Sequence, residues 1–478
     1  MPKPSINFLS QDEIKVIHDA SLKILKEVGV KVQSQKALDI LKQAGADIDY
    51  DTQIAKIPSG LVKKALELAP KTIKLCARNP KYDFVLDKRQ PHYTTTGYAA
   101  LVMDIETGRR RSSTNKDLVD WLRVADYLNN VGVNWASLTP TEVAAPMQTI
   151  VETVTLLNNS EKHAQTEALN ATEARYEIEI ATAVAGGREE LKKKPIMSAL
   201  QSPISPLAFE QGSIEAVIEF ARAGIPVVHM TMPLIGETAP ATIAGILVVS
   251  NTETLASIVI AECANAGAPA IYSSAAASTD FKTGCTNSGA PERFLIHMGL
   301  TQLAHYYGIP AELVGAATDS KVPDAQSGYE KGMDLAAILL MGPELIVALG
   351  GVDASNAMSL EMLVIDNEII NAARRLARGC EINDDTLALD IIHKVGPGGQ
   401  FLGQKHTLSH YKTEVWLPEL SAKGPFVPWE KAGSKSLRQV ANEKVKQILA
   451  THKPEAISGD VYEEISRILS RAKAELLK

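Results

Sequence analysis

Four stretches in the second half of the chain alternate in the same way between a long helix-like run and a short apolar one. The apolar runs follow Gly224-Ile225-Pro226 (VVHMTMPLIG), Gly267-Ala268-Pro269 (AIYSSAAAS), Gly308-Ile309-Pro310 (AELVGAATDS) and Gly342-Pro343 (ELIVALGGVDAS). Glycine closes a helix and proline prevents its continuation, so each junction reads as a helix-to-strand connection. The repeated helix–strand order predicts parallel strands joined by crossover helices.

Working backward, the same alternation gives four more strands, at HYTTTGYAALVMD from His92, VGVNWASLT from Val131, HAQTEALN from His163 and PIMSALQSPIS from Pro195. Helical patterns near 115–129, 146–159, 171–185 and 209–223 separate them. Eight strand–helix units across about 92–380 fit a (β/α)8 (TIM) barrel, whose usual span is ~250 residues before insertions. An open doubly wound sheet is the structural competitor. No GxGxxG follows the first strand, which counts against its dinucleotide-binding form.

Residues 1–90 read as an N-terminal helical cap, with helical spacing at 11–29, 35–44 and 59–69. The barrel is expected over 91–380, and 381–478 as a C-terminal segment with helices. Inside the first unit, Asp104-Ile105-Glu106-Thr107-Gly108-Arg109 has the chemistry of a tight turn between two strands. The Arg109–Arg111 run reads as a solvated turn rather than an anion site.

Composition narrows the partners. A net charge of −7 over 478 residues, with no long basic run, argues against nucleic acid and anionic membranes. No apolar run reaches membrane-spanning length without interruption, and the first residues lack a signal peptide's apolar core, so a cytoplasmic protein is expected. The four scattered cysteines form neither a disulfide framework nor a zinc knuckle. His406 and His410 would share one helix face, but with no third ligand in view the expectation is that no metal is bound.

In a barrel of this kind the chemistry sits at the carboxyl ends of the strands. Those ends offer Tyr93, Thr94–Thr96, Ser137, Thr139, Gln165, Glu167, Gln201, Ser202, His229, Thr231, Tyr272–Ser274, Thr318, Asp319, Gly350 and Gly351. Most are small or uncharged, which suits a reaction needing positioning more than proton transfer. His229 and Glu167 are the exceptions.

Three segments then carry a resemblance: Gly315-Ala316-Ala317-Thr318-Asp319-Ser320-Lys321-Val322-Pro323-Asp324-Ala325-Gln326, the turn DIETGRRR, and GGQFLGQKHTLSHYKTEVWLP. Together they resemble the trimethylamine methyltransferase superfamily over essentially the whole chain. The resemblance implies a (β/α)8 barrel that moves a methyl group from a methylated amine to Co(I) of a separate corrinoid protein. Founding members carry pyrrolysine at a strand end aligned near Ala316–Thr318, where this chain has standard residues. It therefore looks like the non-pyrrolysine branch, whose substrates are quaternary amines such as glycine betaine, proline betaine, carnitine and γ-butyrobetaine.

A quaternary ammonium leaves as a neutral tertiary amine, so no general acid and no catalytic residue is assigned. The task is to hold the N-methyl group in line with cobalt and exclude water. Aromatic faces supply ~0.5–2 kcal/mol each of cation–π attraction. With only 5% aromatic residues, Tyr93, Tyr98 and Tyr272 on strands stand out, as do Phe401, Tyr411 and Trp416 in a segment expected to fold over the barrel. His406, His229 or the backbone at Gly350–Gly351 is the expected partner of a betaine carboxylate, and Asp319 and Glu167 are expected to face the cation. No Asp-x-His-x-x-Gly cobalt-ligand motif occurs, so the chain itself binds no cofactor and the cobalt corrinoid comes from a partner protein docking at the mouth. The loop Gly396–Gly403 is a candidate mobile element for that docking. The apolar C-terminal helices are compatible with a homo-oligomer. Rival classes remain: a corrinoid-independent barrel enzyme using His229 and Glu167 as an acid–base pair, or a quaternary-amine binding protein without catalysis.

Overall fold

The computed structural model describes residues 3–87 and 91–477; the domain boundary expected at residue 90 falls outside them. Eight strands close a barrel: β1 (His92–Thr95), β2 (Val131–Trp135), β3 (His163–Thr166), β4 (Met197–Gln201), β5 (Val227–Thr231), β6 (Ala270–Ser274), β7 (Ala311–Val314) and β8 (Leu345–Leu349). Every neighbour pairing is parallel, including the closing pair β8–β1. The eight strands sit where the apolar runs predict them.

Each strand is followed by its helix: α1 (Asn115–Tyr127), α2 (Gln148–Asn159), α3 (Ala171–Ala185), α4 (Gln211–Ala223), α5 (Ile243–Ala264), α6 (Pro291–Tyr307), α7 (Ala325–Met341) and α8 (Leu360–Arg378). Gly224, Gly308 and Gly342 end α4, α6 and α7 in the left-handed conformation. At the remaining junction α5 already ends at Asn265, and Gly267 makes the turn that follows. α5 has the length and apolarity of a membrane span, but 72% of its apolar window is buried inside the protein. The closed ring of parallel strands leaves the barrel sheet without edges, so each of its strands is covered by side chains inside and helices outside.

The barrel interior has three storeys. At the bottom, a hairpin of Ile73–Leu75 and Phe84–Leu86 plugs the amino ends of the strands, its Ile73, Leu75 and Leu86 packed with Val133 and Leu345. Above lies a polar layer. Gln165 Nε2 donates to Glu312 Oε1 (2.9 Å), Ser198 donates to Gln165, and His163 Nε2 lies 3.1 Å from Ser198 Oγ. Leu200, Met230, Val314 and Val347 form the floor of the open mouth.

The N-terminal region contains the expected helices, Gln11–Glu27, Gln35–Gln43 and Ser59–Leu68. It also holds short strands that the helical spacing does not disclose. Val30–Val32 pairs in parallel with Ala208–Phe209, tying this region to the loop after β4. The turn at Asp104–Arg109 joins Leu101–Met103 to Arg110–Ser112 as an antiparallel hairpin, as predicted.

Candidate active site

The mouth of the barrel opens into a cavity of about 880 Å³. One wall comes from the ends of β1, β2 and β3. Trp135 lies on β2 facing inward, and its indole meets the Tyr98 ring edge-on at 5.6 Å. A Cβ at Gly97 would come within 2.3 Å of that indole, so glycine there is what lets the tryptophan take its place. Trp135 is buried and its Nε1 has no hydrogen-bond partner. Tyr98 itself has a positive φ of 43°, a conformation rare for a bulky residue, and it follows directly from Gly97. Glu167 completes this wall, and burial pushes its carboxyl up to about 7. The Tyr98 hydroxyl is held far above its ordinary range, first by burial and then by the charge of Glu167.

The opposite wall comes from the segments after β6, β7 and β8. Strands Ala277–Asp280 and Cys285–Asn287 form a hairpin whose outgoing arm, Thr283–Ser288, lines the cavity. In the first turn of α6, Arg293 is a buried guanidinium that also faces the cavity. Its Nη1 donates to the Ser288 carbonyl (3.0 Å), whereas its Nε has no partner. Asp319 closes the hairpin's base by accepting from the backbone N–H groups of Ser288 and Gly289, both at 2.8 Å. After β8, Asp353, Ala354 and Ser355 have φ values of 55°, 53° and 66°, and all three line the cavity. Three consecutive non-glycine residues in the left-handed region store strain at the rim of the site. Backbone bonds from Asp353 to the Ser320 carbonyl and from Ala354 to the Thr318 carbonyl hold them there.

Of the residues expected at the mouth from sequence, the structure brings Thr96, Tyr98, Glu167, Ser202 and Asp319 together in this cavity. The others lie elsewhere. His229 and Tyr272 sit on β5 and β6 but point outward, because side chains alternate along a strand and their neighbours Met230 and Ile271 take the interior positions. His229 Nδ1 lies 2.7 Å from Ser257 Oγ on α5, and burial depresses the imidazole to about 3, so it stays neutral. Tyr272 donates to Asn251, also on α5. Tyr93 is likewise outward and buried among the helices. Thr318 donates to Glu330 on α7.

The Gly350 N–H is taken by Asp366 Oδ2 at 2.6 Å and cannot also receive a ligand carboxylate, while Gly351 pairs with Met358. Phe401, His406, Tyr411 and Trp416 do not fold over the mouth. Their segment is tied to the far half of α8, through Arg375 to Glu414 and through Glu368 to the backbone of Glu419, Leu420 and Ser421. The His229–Glu167 acid–base pair of the rival enzyme reading is therefore not assembled.

The expected set does not include Trp135 and Arg293. Trp135 carries a signal as an aromatic residue at a strand end; Arg293 carries none, because it lies beyond a hairpin that the small, polar residues of its arms do not announce.

The molecule's relatives agree with this architecture. The family model described as trimethylamine methyltransferase (MTTB) matches residues 1–477. The chain is 34% identical over 474 residues to the trimethylamine methyltransferase MttB of Methanosarcina barkeri, covering 98% of this chain and 95% of that protein. It is 30% identical over 475 residues to the glycine betaine methyltransferase of Desulfitobacterium hafniense strain Y51, covering 99% and 98%. Among solved structures it resembles the Methanosarcina barkeri monomethylamine methyltransferase MtmB, with a TM-score of 0.50 at 13% identity over 96% of this chain and 98% of that one, a likeness of fold. By sequence along its entire described length, the chain belongs to the trimethylamine methyltransferase family.

Proposed function

We propose that this methyltransferase takes its methyl group from a zwitterionic quaternary amine, most simply glycine betaine, and delivers it to the Co(I) corrinoid of a separate protein. The observation that carries the reading is the division of the cavity. Trp135, Tyr98 and Glu167 make an aromatic and acidic wall, and the buried Arg293, with the carboxylates of Asp334 and Asp319 near it, lines the other side. The first wall suits a trimethylammonium group, with aromatic faces contributing ~0.5–2 kcal/mol each. Arg293 offers a carboxylate an unpartnered N–H on a buried guanidinium.

The chemistry asks for no acid. When the C–N bond breaks, its electron pair stays on nitrogen, so the leaving group is a neutral tertiary amine and no proton moves. The reduced corrinoid supplies the nucleophile; this chain's residues hold the substrate, aim one methyl out of the mouth and keep water away. Ala316 and Ala317, at the end of β7, carry no group able to form an adduct with a tertiary amine. Glu167 helps by charge: a bound cation stabilises its carboxylate form against the desolvation that raises it.

Calorimetric titration tests the reading. Wild-type protein should bind glycine betaine more tightly than tetramethylammonium, and Arg293→Gln should remove that preference, weakening glycine betaine about tenfold or more while leaving tetramethylammonium within about twofold, as expected for loss of one charge-assisted contact. Equal affinity for the two ligands in the wild type would overturn the zwitterion reading.

A further inference from the structure

Away from the mouth, residues 381–436 contain no buried side chain, although they form four short helices: Asp384–Leu387, Leu389–Val395, Lys405–Glu414 and Phe426–Lys431. A stretch of this length without a core holds a defined shape only when something other than hydrophobic burial fixes it, and small coreless units commonly use a metal for that purpose. Within this stretch three metal-binding side chains converge. His406 and His410 stand one turn apart on the helix Lys405–Glu414 with ring centroids 4.1 Å apart. Asp385 comes from the helix Asp384–Leu387, and one ligating atom from each of the three lies within 4.8 Å of the other two. The missing third ligand is supplied by a residue twenty-one positions away in sequence, which spacing alone does not reveal.

We propose that Asp385, His406 and His410 form a divalent-cation site of the zinc class that clips the helix Asp384–Leu387 to the helix Lys405–Glu414 across the glycine-rich loop Gly396–Gly403. Two imidazoles and one carboxylate are a donor set that zinc favours over magnesium or calcium. His410 Nε2 and Asp385 Oδ2 are 3.2 Å apart. Two ligands of a tetrahedral zinc with bonds of ~2.1 Å are separated by roughly 3.4 Å, so this pair already has the needed spacing, and the His406 nitrogen, within 4.8 Å of the other two ligand atoms, closes in when the ion binds. The His406 ring is already oriented by the turn that supplies the carboxylate, its Nε2 lying 2.9 Å from the Asp385 carbonyl oxygen. Asp385 is exposed and both histidines are half-buried, so an ion can enter and the fourth position is open to water. The competing account is a plain His410–Asp385 ion pair.

The two accounts separate on full-length protein carrying no affinity tag and freed of metal by a chelator. Titration with Co²⁺ should give one tightly held equivalent with the strong visible bands of a tetrahedral site, displaced by one equivalent of Zn²⁺. His410→Asn and Asp385→Asn should each abolish those bands without shifting the barrel's thermal unfolding, since both positions lie outside the core. Added Zn²⁺ should also slow proteolytic cleavage within 396–403 several-fold in the wild type and not in either variant. A spectrum that stays that of the aqueous ion, or equal Co²⁺ uptake by wild type and both variants, would overturn the site and leave the ion pair. None of these readouts depends on which amine the enzyme demethylates.

Discussion

Gly97 and Trp135 depend on each other. The indole fills the space that any side chain at residue 97 would occupy, so Gly97→Ala should push Trp135 out of the aromatic wall. The expected outcome is a loss of about 1–2 kcal/mol in quaternary-amine binding, seen by titration, which is the size of one displaced aromatic contact plus overpacking. Glu167 makes a second prediction. Because burial places its carboxyl near 7, the anionic form that attracts a cation is populated as pH rises through that value. KM for the quaternary amine should therefore fall between about pH 6 and 8, and Glu167→Gln should flatten that dependence; a profile unchanged by the substitution would remove Glu167 from the site.

At this scale the sequence was only half legible. It located strand ends correctly, yet could not say which of two adjacent residues faces inward. His229 and Tyr272 have the right chemistry for a site, but the pleat turns both toward α5.

The two hairpins at the mouth show what local chemistry does and does not disclose at the level of elements. Asp104 and Asp280 each open a five-residue Asp-x-x-Thr-Gly turn. Asp104 Oδ1 accepts from the Thr107 N–H and hydroxyl, and Asp280 Oδ2 accepts from the Thr283 hydroxyl. Gly108 and Gly284 then take positive φ values of 67° and 69°. The first hairpin was predicted from this pattern. The second escaped because its arms, ASTD and CTN, are small and polar and look like loop; the shared turn was the signal that would have exposed it, and with it Arg293.

Behind the site, α2 and α3 bury Glu152 and Glu177 with no hydrogen-bond partner for either carboxyl. Desolvation raises Glu152 to about 8 and Glu177 well above its ordinary range. The folded protein thus holds protons that the unfolded chain releases near 4.5, so this contribution to stability is full below about pH 4.5 and is lost as pH rises toward 8. The thermal midpoint should decline across that window, and Glu152→Gln should make the decline shallower; a slope unaltered by the substitution would contradict the assignment.

Over the whole molecule, the barrel is wrapped by its own tail. The helix Leu437–Thr451 packs on α8 and α1, and the helix Gly459–Leu476 on α3, burying Ile465, Ile468 and Ala472. Replacing Ile468 by Ala should cost about 2–4 kcal/mol in denaturant unfolding, the usual range for emptying an isoleucine site. The barrel repeat was readable because its later strands are apolar runs set off by Gly and Pro, and the more polar β1 (HYTT) and β3 (HAQT) could be placed by working back from them. The path of residues 381–436 was not readable, since a segment with no buried face has no periodicity to betray where it lies.

One assay tests both a zwitterionic quaternary amine as methyl donor and a reduced corrinoid as acceptor. The direct measurement mixes purified protein with a corrinoid protein reduced to Co(I) and, in turn, glycine betaine, proline betaine, carnitine, γ-butyrobetaine and trimethylamine, following loss of the Co(I) absorption and release of the demethylated amine. Turnover is expected with at least one betaine and none with trimethylamine. Turnover with trimethylamine alone, or no demethylated product from any betaine with an active corrinoid partner present, would contradict it.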